Sequence, residues 1–262
     1  MPPKPRKHRA RPSETTGPPP PPGRVVGRIP VLECLRAKRR KPRRLFLLDG
    51  AKGLEAVEAA MPSHNIERCS RNDLDALSPD TPHQGVVLDA APLPIAEGDA
   101  WIRQTTFDDQ AVVLVLDEIA DPHNFGAIVR SAAAFGAAGV VFSKHRSAPV
   151  SPAALKSAAG AMEYVPLVQG ANTARVLEGL KAAGFWVAGL DADGPEVIWD
   201  ADLTRRLVLV IGSEGRGMRR LVRETCDFHV RIPLEGPITS LNASVSAAIA
   251  LAECRRQRSH TR

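Results

Sequence analysis

Residues 112–142 read VVLVLDEIADPHNFGAIVRSAAAFGAAGVVF. The unbroken apolar run at 112–116 marks a strand covered on both faces, and a second run opens at Val140. Between them, 127–135 repeats apolar residues at helical spacing. Two strands joined through a helix pair in parallel. The alternation continues downstream, with strands expected at 164–168, 185–190, 207–211 and 228–232 and helices at 152–159, 173–183, 218–224 and 241–256. Asn172 offers an N-cap to the 173–183 helix and Gly184 stops it. The reading is an α/β domain over 111–258 with a mainly parallel sheet.

Upstream, the periodicity breaks. Residues 94–110, with Pro94, Gly98 and several acids, are expected as a linker. Before it, 24–93 reads as a small α/β module, with helices at 29–37, 54–60 and 73–77 and strands at 45–48, near 66 and at 86–88. Nine prolines fall within residues 1–22, so this arm is expected to be disordered and partly polyproline-like.

The formal net charge of +6 is unevenly placed. Residues 1–44 hold 14 Lys/Arg against 2 acids, leaving 21 against 27 in the rest. A concentrated positive arm favours phosphate contact, so RNA or DNA is the expected partner. The block from Lys38 to Lys41, with Arg43 and Arg44, is expected to form a positive rim.

Several function classes are disfavoured. No apolar run approaches the ~18 residues that span a bilayer. Cys34, Cys69, Cys226 and Cys254 lack metal-ligand spacing and are expected as free thiols in a reducing compartment. The glycines at 212, 215 and 217 read G-x-x-G-x-G after a late strand, the wrong register for dinucleotide binding, and no P-loop is present. The histidines are scattered and no paired carboxylate cluster appears, so metal-assisted hydrolysis is not expected.

Three ordered segments carry the chemistry. They are Asp121-Pro122-His123-Asn124-Phe125-Gly126-Ala127-Ile128-Val129-Arg130, then Gly212-Ser213-Glu214-Gly215-Arg216-Gly217, then Ile232-Pro233 through Ser240-Leu241-Asn242. Each follows or opens an apolar run, so a parallel sheet brings them to one edge. Glycines there expose backbone N–H and C=O groups to a flat ligand such as an adenine.

With these motifs the chain resembles the SPOUT superfamily, in its SpoU/TrmH branch of RNA ribose 2′-O-methyltransferases. His83-Gln84-Gly85-Val86, Arg146-Ser147-Ala148 and 159–163 resemble the subgroup acting on a guanosine of large-subunit 23S-type rRNA; the same reaction on tRNA and a non-catalytic ribosome-assembly factor are the alternatives. The resemblance implies a ribosomal-protein L30e-like RNA-binding domain over 24–93 and a trefoil-knotted catalytic domain. It also implies a homodimer with its site near the interface, S-adenosylmethionine as methyl donor and no required metal. The cysteine usage and the lack of a spanning run make the cytoplasm the expected location, ahead of an organellar matrix.

By that resemblance Gly212, Ser213, Gly215, Ile232 and Leu241 contribute to the cofactor pocket. Arg130, Asn124, Glu214, Ser240 and Asn242 form the catalytic set. Arg130, expected to be buried, is assigned to the ribose hydroxyl; a guanidinium pKa above about 12 makes it a poor base, so holding the phosphate and stabilising the alkoxide is its expected role. Asn124 is a candidate N-cap or an orienting group, Ser240 and Asn242 combine capping with function, and Glu214 orders its loop or binds substrate.

Overall fold

The computed structural model describes residues 23–79, 81–144 and 150–259. The arm 1–22 and the segment Arg146-Ser147-Ala148 lie outside the described residues.

Strands β1 (Arg24–Val26), β2 (Pro42–Leu48), β3 (Ile66–Cys69) and β4 (Val86–Ala90) form a mixed sheet in the order β1-β4-β2-β3. Helices α1 (Arg28–Ala37), α2 (Glu55–Ala59) and α3 (Arg71–Leu77) accompany it. Successive residues of a strand face opposite sides. Leu45, Leu47, Val86 and Leu88 therefore join Val31 and Val57 in one core, while Phe46 and Val87 join Leu74 of α3 in another. Both faces are covered, which is why these strands read as short continuous apolar runs. A capping box between Ser70 and Asp73 starts α3, an arrangement that contributes on the order of 1 kcal/mol.

The second sheet has eight strands, all paired in parallel: β5 (Ile95–Glu97), β6 (Val112–Asp117), β7 (Gly139–Ser143), β8 (Leu167–Gly170), β9 (Trp186–Leu190), β10 (Glu196–Val197), β11 (Leu207–Gly212) and β12 (Phe228–Arg231). Their order is β10-β12-β9-β11-β6-β7-β8-β5. Helices α4 (Gly98–Gln104), α5 (Pro122–Ala134), α6 (Pro152–Ala158), α7 (Thr173–Ala182), α8 (Arg220–Thr225) and α9 (Ala243–Ser259) cover it. One face packs under α5, α6 and α9, the other under α4, α7 and α8. All six residues of β6 are buried; at about 1.5–3 kcal/mol for each buried Val or Leu, this strand anchors the sheet. No helix among the described residues is long and apolar enough to cross a membrane.

Three local expectations change. The stretch 94–110 is not a bare linker: it supplies β5, which pairs with β8, and α4, whose Trp101 is buried. Helix α5 begins at Pro122 rather than 127, because Asp121 caps it by accepting from His123 N–H at 2.9 Å and Pro122 suits the first turn. Helix α9 begins at Ala243, two residues later than expected.

The basic block of the small domain is only partly a rim. Arg40 is buried and its guanidinium grips the Glu163 carboxylate, with Nε donating at 3.1 Å; each side chain is 3% exposed. Arg39 donates to the Val165 carbonyl at 3.0 Å, and Tyr164 donates to Glu33. Arg44 pairs with Glu67, so Lys38, Lys41 and Arg43 are the cations of the block left exposed and without a partner among the described residues. Burial, and then the Glu163 charge, push the neighbouring Cys34 thiol up to about 11.

Candidate active site

The C-terminal ends of β6, β9, β11 and β12 lie at one edge of the large sheet, in register through Leu116↔Ile211, Leu190↔Ile211 and Leu190↔Val230. The loops leaving this edge bring the three segments together. Asn124 Nδ2 donates to Glu214 Oε1 at 3.0 Å, and Asn242 Nδ2 donates to the same oxygen at 2.7 Å. Asn242 Nδ2 also reaches Asn124 Oδ1 at 2.9 Å. Ala243 N–H, at the start of α9, adds a longer bond of 3.4 Å to Glu214 Oε1, placing a carboxylate at the positive end of a helix. Glu214 Oε2 has no partner among the described residues.

Each member is fixed locally. Asn242 Oδ1 accepts from Ser244 N–H at 2.9 Å and from the Ser244 hydroxyl at 2.6 Å, so its side chain caps α9 while its amide nitrogen serves the cluster. Asn124 is not the N-cap of α5, which is Asp121; it sits within the first turn, buried, with its amide aimed at the other two segments. Gly126 sets the distance from α5 to α6. A Cβ there would lie 2.4 Å from the Ala154 carbonyl oxygen, closer than real contacts allow.

The glycine loop is a small hairpin. Ser213 and Gly217 exchange N–H···O bonds of 3.0 and 2.9 Å, and the Ser213 hydroxyl donates back to the Gly217 carbonyl at 3.2 Å. Gly215 and Gly217 have φ of 79° and 67°, the left-handed region that favours glycine. A Cβ on Gly212 would meet Gly217 C at 2.3 Å. Gly215 lies exposed at the tip beside Glu214.

Sequence reasoning missed the anchor of this loop. Asp117, fully buried at the end of β6, accepts from Arg219 N–H at 2.8 Å and from its guanidinium at 2.8 and 2.5 Å, and Arg219 also reaches Thr173 Oγ1 at 2.9 Å. Hydrogen bonding to Asp117 raises the Arg219 pKa. An acid terminating the apolar run 112–116 was the available signal.

The other expected residues are placed differently. Ile232 and Leu241 are half-buried, Ile232 against the core under α5 and α9. Ser240 is exposed and has no hydrogen bond among the described residues. Arg130 is exposed rather than buried, and no described residue pairs with it. Six positions beyond Asn124 on α5, it projects about 120° away from that side chain at 3.6 residues per turn, so the cluster does not include it. The four cysteines are free, and burial pushes Cys226 and Cys254 up to about 12, so neither supplies a thiolate near neutral pH.

Comparison with known proteins gives concordant matches. Residues 111–252 match the profile of the SpoU rRNA Methylase family, and residues 24–96 match that of the RNA 2′-O ribose methyltransferase substrate binding domain. A Mycobacterium sp. (strain KMS) protein named as an uncharacterized tRNA/rRNA methyltransferase is 43% identical over 240 residues, covering 89% of this chain and 76% of the relative. Among solved structures, the SpoU methyltransferase AviRb from Streptomyces viridochromogenes superposes with a TM-score of 0.77 at 26% identity, over 91% of this chain and 90% of that one. The same enzyme in complex with the cofactor AdoMet gives a TM-score of 0.75, also at 26% identity, over 90% and 89%.

Proposed function

This chain belongs to the SpoU rRNA methylase family of RNA methyltransferases, and from that premise we propose that it methylates the ribose 2′-hydroxyl of a guanosine in large-subunit rRNA, using S-adenosylmethionine. The observation that carries the reading is the convergence of Asn124, Glu214 and Asn242 beside the glycine hairpin.

The residues at the sheet edge suit such a donor. Ile232 and Leu241 offer half-buried apolar surface, and the backbone of Gly212, Ser213 and Gly215 offers polar groups without bulky side chains. When bound, S-adenosylmethionine supplies a methyl group already activated by a positive sulfur. What the protein must add is position and control of a proton. The Glu214 carboxylate is held at the helix terminus through Oε1, which leaves Oε2 to accept from a ribose hydroxyl, and Ser240 stands exposed nearby in sequence. A hydroxyl so held would be presented to the donor's methyl group, and its proton would leave to water.

Arg130 holds the substrate phosphate and stabilises the developing alkoxide. Because it projects away from Asn124, the reading places it in the site of the second copy of a homodimer. The reading also includes a trefoil knot in the catalytic domain, an L30e-like small domain and a cytoplasmic location, for which the free thiols give support.

Transfer of labelled methyl to rRNA and tRNA, with mapping of the modified nucleotide, tests the proposal. Label in a large-subunit guanosine is expected; label confined to tRNA would move the substrate, and none on either RNA would overturn the reaction. Arg130→Ala and Asn242→Ala proteins, each inactive alone, should regain about a quarter of the activity when mixed and re-dimerised, since half the dimers then carry one intact composite site. No regain would put Arg130 in the site of its own chain.

A further inference from the structure

The small domain carries a depression of about 680 Å³ that shares no residue with the cluster just described. Its cations are Arg28, Lys52 and Arg71, and its apolar lining comes from Leu48, Ala51 and Pro82. All three cations are exposed, and Lys52 and Arg71 have no partner among the described residues. The acid in the lining, Asp75, faces His83 Nε2 at 3.1 Å. Since His83 Nδ1 accepts from Gly85 N–H at 2.9 Å, its Nε2 carries the proton and donates to Asp75. The depression is therefore positive in net character.

It is also rigidly built. Gln84 has φ of 56°, a left-handed conformation unusual for a residue with a side chain. That geometry lets its side-chain oxygen accept from Arg28 N–H and its carbonyl accept from Arg28 Nε, both at 3.0 Å. Arg28 is thus fixed at the mouth, and the Gln84 amide nitrogen is left without a partner. By contrast, Arg39 and Arg40, the centre of the basic block that sequence alone marks for RNA, are engaged at the junction with the large domain.

We infer that this depression takes an unpaired nucleotide of the substrate RNA, with phosphates against Arg28, Lys52 and Arg71 and the base against Leu48, Ala51 and Pro82. The inference rests on the reading of RNA as substrate. Cations around an apolar lining match the two faces of a single nucleotide, a charged backbone and a flat base. A base held in a duplex cannot enter, so the site selects loops, bulges or ends over helices. The Gln84 amide is placed to donate to an acceptor on the base edge.

The test is fluorescence-anisotropy titration of the full chain, without S-adenosylmethionine, using a labelled single-stranded RNA decamer and the same strand annealed to its complement. Lys52→Glu with Arg71→Glu should weaken single-strand binding at least about tenfold, whereas Lys38→Glu with Arg43→Glu, the same change in charge on the exposed part of the block, should weaken it less than about threefold. The unmodified chain should prefer the single strand. Equal losses from the two pairs, no loss from the first, or equal affinity for the duplex would overturn the inference. Because no methyl transfer is involved, failure of the proposed reaction leaves this result standing, and the reverse also holds.

Discussion

Two polar clusters tie distant parts of this chain together, and they are built on opposite principles. At the junction of the two sheets, Arg40 and Glu163 meet across 123 residues of sequence with both side chains 3% exposed. At the sheet edge, Asn124 meets Glu214 and Asn242 across 90 and 118 residues, yet Glu214 and Asn242 are open to solvent and one carboxylate oxygen is unused. A buried pair with its bonds satisfied can only hold parts together. An exposed cluster fixed by a cap and a hairpin, with bonding capacity left over, can receive something else. Separation in sequence does not distinguish structure from function here; unused hydrogen-bonding capacity does.

Breaking the closed cluster should have the largest effect on stability. Glu163→Leu leaves Arg40 buried without its counter-charge and should cost about 3–5 kcal/mol in urea unfolding, most of it recovered by adding Arg40→Met. A loss below about 1 kcal/mol would mean that solvent reaches the pair. The open cluster should respond the other way. Glu214→Gln should lower turnover roughly hundredfold while changing stability by less than about 1 kcal/mol; a stability loss matching that of Glu163→Leu would erase the contrast. The smallest change separates the two duties of one residue. Asn242→Ser keeps a cap for α9, so stability should hold within about 0.5 kcal/mol, whereas Asn242→Ala should lose about 1 kcal/mol. Both remove the amide donor to Glu214, so both should lose turnover, and full activity in the serine variant would reduce Asn242 to a cap.

Much of the large sheet was legible because its central strands are buried on both faces and so read as unbroken apolar runs, β6 most plainly. The site was legible where a motif fixes a main-chain shape: Gly212 and Gly217 touch, so the hairpin admits no side chain at 212. Other features rest on partners far along the chain. Arg40 sits in a run of charges that reads as solvated, and only Glu163 makes it buried. Asp117 and Arg219 are 102 residues apart. Arg130 was expected to be buried because Ile128 and Ala134 flank it, but flanking residues do not say which side of a helix meets solvent. Strand β5 has three residues, too few to display a period, in a stretch rich in proline and acids.

That short strand bears on how the molecule can be divided. With the small sheet ending at Ala90 and β5 beginning at Ile95, four residues join the two units, too few for free reorientation once the junction pairs have formed. A fragment starting at residue 111, the obvious cut by family match, would discard β5 and uncover the outer edge of β8. Its row of bare N–H and C=O groups would be a template for another chain. Residues 95–97 are thus the selvedge of the second unit, and a soluble catalytic fragment is to be sought from a cut before Ile95, not after it.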